Sequence, residues 1–106
     1  MIVKSSNVLL ESMESTFKNC LEIAKKKNAD YAGDTENSDP FQNFKNSTVV
    51  KVSVERGILV RLMDKMSRIS NLIDAEAKVK DESVYDTIDD AINYLSILKA
   101  YRQHGK

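Results

Sequence analysis

The sequence predicts an all-α protein, a single domain with three main helices. The prediction depends on three segments in which apolar residues recur at helical spacing, residues 7–27, 47–78 and 83–102. A short polar connection at 78–82 makes the last two helices antiparallel neighbours. A chain of 106 residues is one domain. Its core is small, so we expect dimerisation to complete the bundle.

The first predicted helix, residues 7–27, has one apolar face. Asn7 is a suitable N-cap. The three lysines at 25–27 suit the negative end of the helix dipole, and a solvated helix end explains them more simply than contact with a phosphate. Residues 1–6 and 103–106 are expected to be frayed. The apolar positions are Leu10, Met13, Phe17, Cys20 or Leu21, and Ala24.

Residues 28–48 are predicted to form an ordered polar loop that faces a ligand, because turn-forming residues dominate the segment. Three aromatic residues lie inside it: Tyr31, Phe41 and Phe44. They either hold the loop against the helices by burial or stack on a flat ligand. Both interpretations stay open, and the polar hydroxyl of Tyr31 favours ligand contact for that residue.

The second predicted helix, residues 47–78, has Ser53 as its expected N-cap, with a short helical turn before it at 48–52. Gly57 lowers helix propensity, which predicts a kink or a close approach near the start of this helix. The predicted core stripe consists of Leu59, Leu62, Met66, Ile69 and Ile73.

The last predicted helix, residues 83–102, is apolar on two sides. One side carries Val84, Ile88, Ala91, Leu95 and Leu98. The other carries Tyr94, Ile97 and Tyr101. A helix that is apolar on two sides is usually covered on two sides, so this second side predicts contact with a partner subunit.

Polar side chains follow one face of each of the last two helices. The earlier row contains Arg61, Asp64, Arg68 and Asn71, and the later row contains Glu82, Asp86, Asp90 and Asn93. Stacked carboxylates repel each other unless a positive charge lies among them. Oxygen ligands suit Mg²⁺, so Asp64, Glu82, Asp86 and Asp90 are candidate metal ligands and catalytic residues. Arg61, Lys65 and Arg68 would then hold phosphate oxygens.

Simpler interpretations of the same rows stay open. Ser83 and Asp86 have the spacing of a capping box, and Glu82 suits the positive end of a helix. The charged residues of the earlier row could form weak ion pairs along the helix. Asp90 lies one turn deeper, where no capping rule explains it.

Composition excludes several classes of function. Sixteen basic and 16 acidic residues cancel, which argues against general nucleic-acid binding. A single cysteine, Cys20, and a single histidine, His104, argue against disulfides, cysteine-based zinc sites and catalytic Ser-His or Cys-His pairs. The first residues show neither a signal peptide nor a membrane span, so a cytoplasmic location is expected.

Four separated motifs together resemble a known family. They are KNADYAG at 27–33, PFQNF at 40–44, VRLMDK at 60–65 with Arg68, Asn71 and Leu72, and DES at 81–83 with Asp86, Thr87, Asp90, Asn93 and Tyr94. This pattern resembles the phage and bacterial family called nucleotide modification associated domain 1, a branch similar to MazG-like all-α nucleoside triphosphate pyrophosphohydrolases. The resemblance implies a MazG-like helical bundle, Mg²⁺ or Mn²⁺ as cofactor, a nucleotide ligand, and a dimer or tetramer. It also implies a phage-encoded protein in the host cytoplasm.

The resemblance also implies roles for individual residues. Asp86 and Asp90 match the paired acids of the last catalytic helix, Asp64 the acid of the preceding helix, and Glu82 the acid just before the last helix. The candidate nucleotide contacts are Lys27, Asp30, Tyr31, Phe44, Arg61, Lys65, Arg68 and Asn93. The sequence departs from the family because only one acid, Asp64, remains at the site on the earlier helix. That departure weakens the case for hydrolysis more than the case for nucleotide binding.

Three hypotheses follow. The first is a Mg²⁺-dependent pyrophosphohydrolase that converts a (deoxy)nucleoside triphosphate to monophosphate and pyrophosphate. The second is a non-catalytic protein that sequesters a nucleotide, for example as a phage counter-defence protein. The third is a helical interaction module that dimerises.

Overall fold

A computed structural model of the chain describes residues 6–32, 39–75 and 83–105, with side chains left out at 29–32 and at 75. Within these ranges the ordered elements are all helical, which confirms the predicted all-α class. Four are α-helices and two are short terminal or connecting turns. They are α1 (Ser6–Ala32), α2 (Gln42–Lys45), a 3₁₀ helix (Asn46–Val50), α3 (Val54–Ala75), α4 (Val84–Ala100) and a π-helical turn (Tyr101–Gly105). The predicted polar connection at 78–82, with Glu82, lies outside the described residues. Of the start expected to be frayed, 1–6, residues 1–5 also lie outside them, while Ser6 begins α1.

Helix α1 is longer than the sequence pattern indicated. It begins at Ser6, so Asn7 lies inside the helix and is not its N-cap. It continues to Ala32, so Asp30 and Tyr31 belong to the helix backbone and not to a loop. Asn28 and Asp30 are weak helix formers, but neither stops a helix that already has several turns. Gly33, directly after the helix, is the first glycine in the chain.

The rest of the predicted loop also contains helical structure, in α2 and the 3₁₀ helix that follows it. The 3₁₀ helix ends at Val50, and Lys51, which follows as its C-cap, has a left-handed φ of 63°. Ser47 lies against the start of α3. Its Oγ is 3.2 Å from the Phe44 carbonyl oxygen and 3.3 Å from that of Ser53, and either can accept its one hydrogen. A Cβ atom added at Gly57 would lie 2.6 Å from Ser47 Oγ. Gly57 therefore permits a close approach between two segments, as one of the sequence alternatives predicted.

Helices α3 and α4 are antiparallel, since Lys65 pairs with Asp90 while Glu55, near the start of α3, pairs with Arg102 beyond the end of α4. Serine caps begin both helices as expected. The Arg56 amide donates to Ser53 Oγ over 3.2 Å, and the Asp86 amide donates to Ser83 Oγ over 3.1 Å. Each cap satisfies an amide that has no partner within the helix.

The core lies mainly between α3 and α4. Its buried apolar residues are Cys20, Val54, Ile58, Leu62, Leu72, Val84 and Ala91. The predicted stripe on α3 is wrong in part: Leu62 is buried, but Leu59, Met66 and Ile73 are exposed. Apolar residues cover two adjacent faces of this helix, and spacing by itself does not say which of the two meets α4.

Helix α4 packs against both α3 and α1. The side-chain amide of Asn93 donates to the Cys20 carbonyl over 3.1 Å, and that of Asn19 donates to Asp89 over 2.7 Å. These hydrogen bonds satisfy polar groups at the contact between α1 and α4. Among the described residues, no helix combines the length and the apolar character needed to cross a bilayer.

Two tyrosines of the second apolar side, Tyr94 in α4 and Tyr101 in the π-helical turn, meet aromatic rings from the region of α2. The ring of Phe44 meets Tyr94 edge to face at 6.3 Å, and the ring of Phe41 meets Tyr101 at 5.4 Å. Tyr94 and Tyr101 thus have aromatic partners within the chain, and contact of Tyr94, Ile97 and Tyr101 with a partner subunit stays a prediction. Phe41 and Phe44 thus pack on other parts of the chain, and such ring pairs add stability beyond the area they bury. Contact of Phe44 with a ligand stays open.

Candidate functional site

A cavity of about 440 Å³ opens beside α3, on the side where α4 contributes Tyr94. The described residues that line it are Arg61, Asp64, Lys65, Ser67, Arg68 and Tyr94. Positions three and four apart on one helix face point the same way, which explains how α3 supplies five of these side chains. Three are cationic and one is acidic, so the cavity as lined attracts anions.

Arg61 is held in place on one side of this cavity. Its guanidinium donates to the Asn43 carbonyl over 3.2 Å and lies 4.8 Å from the centre of the Phe44 ring. The same Phe44 ring packs edge to face on Tyr94. Contact with an aromatic face stabilises a cation and restricts its motion. Arg61 therefore reaches the cavity in a restricted orientation.

Asp90 is joined to two lysines from different helices. Its Oδ1 lies 3.3 Å from the Lys27 ammonium on α1, and its Oδ2 lies 3.2 Å from the Lys65 ammonium on α3. The Asp90 and Lys65 side chains are 23% and 20% exposed, whereas Lys27 is 53% exposed. Partial burial lowers the local dielectric and strengthens the pair of Asp90 with Lys65. Lys27, predicted to be either a solvated end or a phosphate contact, instead pairs with a carboxylate.

The four candidate metal ligands do not come together among the residues that the structure describes. Asp64 is exposed and lines the cavity beside three cations, while Asp86 is exposed at the start of α4 and Asp90 is paired with lysines. Within the described ranges, no group of three His, Cys, Asp or Glu side chains is placed to hold a metal ion. Glu82 lies outside those ranges. Mg²⁺ is commonly bound by one or two carboxylates together with waters and phosphate oxygens, so Asp64, Asp86 and Asp90 stay candidate ligands.

The other candidate ligand contacts differ in where the structure places them. Arg61, Lys65 and Arg68 line the cavity as expected. Phe44 does not line the cavity, but its ring contacts Arg61 and Tyr94, which do. Asn93 donates its amide to the α1 backbone, a packing role, and the side chains of Asp30 and Tyr31 lie outside the described residues.

Two residues that line the cavity, Ser67 and Tyr94, were not among the site residues expected from the sequence. Tyr94 follows Asp90 by four positions, so the helical spacing rule could have placed it on the same face. Ser67 follows Asp64 by three positions and could have been found in the same way.

No protein-family model, no curated protein and no solved structure matches this chain. The resemblance to the MazG-like enzymes thus rests on the four sequence motifs described above, and the case for function rests on those motifs and on the geometry of the cavity.

Proposed function

We propose that this chain binds a (deoxy)nucleotide in the cavity beside α3, with its phosphates on the cationic side chains. The observation that carries the proposal is the convergence of Arg61, Lys65 and Arg68 on one cavity of about 440 Å³. That volume falls within the range of small-molecule sites. Guanidinium groups suit phosphate oxygens because they offer paired donors, and Lys65 adds a point charge.

The cavity also offers contacts for the rest of a nucleotide. Tyr94 supplies an aromatic wall, and the Ser67 hydroxyl can donate to or accept from a sugar or a phosphate. Asp64 can accept hydrogen bonds from hydroxyl or amino groups. An aromatic ring is a favourable surface for a base, since every base has a face that stacks.

The reaction we propose is cleavage of a nucleoside triphosphate to the monophosphate and pyrophosphate, as the resemblance implies. In the enzymes that the motifs resemble, Mg²⁺ or Mn²⁺ supplies charge neutralisation for the leaving pyrophosphate. Asp64 is the candidate metal-binding catalytic carboxylate that lines the cavity. Glu82 would have to join Asp64, Asp86 and Asp90 for a complete set of acidic ligands.

A second candidate is a protein that binds the nucleotide without cleaving it. One observation favours it: both carboxylate oxygens of Asp90 already have lysine partners. A carboxylate engaged in this way is less available to coordinate a metal ion. Such a protein would sequester its ligand.

Self-association is the remaining part of the proposal, through the apolar side of α1. Leu10, Met13, Phe17 and Leu21 are each 42–59% exposed and recur at spacings of three and four. An apolar stripe of this length on one face of a helix usually packs against another surface, so we propose a second copy of this chain as the partner.

Calorimetric titration with a panel of nucleoside and deoxynucleoside triphosphates tests the proposed ligand class. We expect Arg68→Gln to weaken binding, since it removes a cation from the cavity. Arg56→Gln is the matched control because Arg56 is an exposed arginine of the same helix that does not line the cavity. Equal affinities in the two variants would contradict the proposed site. Pyrophosphate release by the wild-type chain then separates cleavage from sequestration.

A further inference from the structure

Asp90 has no vacant carboxylate oxygen in the arrangement that the structure shows. Each oxygen has an ammonium group at 3.2–3.3 Å, one from Lys27 on α1 and one from Lys65 on α3. An ammonium at that distance already neutralises the carboxylate, and it repels a second cation. Lys65 also lines the cavity, so the lysine that neutralises Asp90 stands at the proposed phosphate site.

The charges around the cavity favour an anion over a cation. Among the described side chains around the cavity and its neighbour Asp90, four are cationic: Lys27, Arg61, Lys65 and Arg68. Two are acidic, Asp64 and Asp90. A cationic lining of this kind attracts a polyphosphate directly and repels a divalent cation.

We infer that the cavity binds the polyphosphate group of its ligand without a divalent cation, because Lys27 and Lys65 supply the positive charge beside Asp90. The inference rests on the proposed function and concerns the binding step, not the cleavage. Magnesium would then lower the affinity, because a magnesium-bound polyphosphate carries two fewer negative charges than the free anion. In a site where carboxylates bind the ligand through the metal, magnesium would raise it.

Calorimetry with sodium tripolyphosphate, and separately with dATP, tests the inference in buffers that contain either EDTA or excess Mg²⁺. We expect both probes to bind in EDTA at least as tightly as in Mg²⁺. Binding that requires Mg²⁺, or that is tenfold or more weaker in EDTA, would overturn the inference and leave the proposed function standing. Binding of neither probe in either buffer would overturn both. Binding of tripolyphosphate but not dATP in EDTA would support the inference and contradict the proposal that the ligand is a nucleotide.

Substitutions of Lys65 test whether its charge binds the polyphosphate. Lys65→Met should weaken tripolyphosphate binding in EDTA by about tenfold, while Lys65→Arg, which keeps the charge, should retain most of it. Lys18→Met is the control, since Lys18 is an exposed lysine of α1 that does not line the cavity. Circular dichroism establishes that each variant is folded. Equal affinity of the folded Lys65→Met and Lys18→Met variants would count against the inference.

A metal readout that does not depend on any ligand completes the test. Bound Mn²⁺ loses most of its solution electron paramagnetic resonance signal, so titration of Mn²⁺ into the protein reports a metal site directly. We expect the signal of the wild-type chain to match that of buffer. Loss of signal that Asp90→Asn restores would show that Asp90 takes a metal ion and would overturn the inference.

Discussion

The carboxylate of Asp90 on α4 lies 3.2 Å from the ammonium of Lys65 on α3, at the edge of a cavity lined by cations. This pair joins the two helices that carry the proposed site. The other carboxylate oxygen of Asp90 pairs with Lys27, so α1 is also joined to the site. Asp90, which was expected to hold a metal ion, thus connects three helices through ion pairs.

Asp90→Asn should lower the free energy of unfolding by about 1–2 kcal/mol, because it removes the charge from two ion pairs, one of them partly buried. Urea denaturation at low and high salt measures the effect. High salt should reduce the part of this loss that comes from the exposed pair with Lys27, because salt screens exposed charges. The part that comes from the pair with Lys65 should remain. Asp86→Asn, at an exposed position of the same helix, is the control, and an equal loss there would contradict the assignment. If the chain cleaves a nucleotide, Asp90→Asn should also abolish pyrophosphate release.

Gly57→Ala should destabilise the chain even though alanine favours a helix. The added Cβ would lie 2.6 Å from Ser47 Oγ and 2.9 Å from Ser47 Cβ. Overpacking costs about 1–3 kcal/mol. This cost equals or exceeds the ~1 kcal/mol that alanine gains over glycine in helix propensity. Thermal denaturation measures it. Adding Ser47→Gly should restore stability, whereas Ser47→Ala, which keeps the Cβ atom, should restore less; a Gly57→Ala variant more stable than wild type would refute the close approach.

Phe44→Ala should cost about 1.5–3 kcal/mol of unfolding free energy, somewhat less than for a fully buried phenylalanine, because the ring is only partly buried. The ring contacts both Tyr94 and the Arg61 guanidinium. Phe44→Leu keeps apolar bulk and loses the aromatic contacts, which are worth roughly 1 kcal/mol. Denaturant titration of the two variants separates burial from ring geometry. Ligand affinity should fall in both if the ring positions Arg61.

The double variant Met13→Glu, Leu21→Glu should dissociate the proposed dimer. Both side chains are exposed on the apolar side of α1, and two carboxylates on that side of each copy would face one another across a dry interface. Sedimentation velocity measures the change in mass. Lys18→Glu changes the net charge by the same amount at an exposed position of α1 and should leave the dimer intact. A wild-type chain that sediments as a monomer would disprove the proposed self-association.

The thiol of Cys20 should react slowly with aromatic disulfide reagents in the folded protein. It is 3% exposed, and burial, followed by the negative charge of Asp89, raises the pKa of the thiol above its ordinary value of 9.0. A raised pKa stabilises the folded chain fully below that ordinary value, and the contribution is lost as the pH rises above it. Stability should therefore fall above about pH 9 in wild type and fall less in Cys20→Ser. Rapid labelling of the native thiol at neutral pH would contradict its burial.

The sequence alone determined the helical class, the antiparallel relation of the last two helices and their serine caps, because periodicity and capping are local properties of the chain. It also indicated the three cations that line the cavity, since spacings of three and four place them on one face of α3. The continuation of α1 to Ala32 was missed, because polar residues that resemble a loop extend an existing helix at little cost.

Tertiary structure decided the partners of those faces. Spacing placed Asp86 and Asp90 on one side of α4 but could not show that lysines from α1 and α3 would meet Asp90 there. In the same way it could not show that the rings of Phe41 and Phe44 would meet those of Tyr101 and Tyr94. A helical pattern specifies the direction in which a side chain points, whereas the charge or ring that it meets depends on packing between segments distant in the chain.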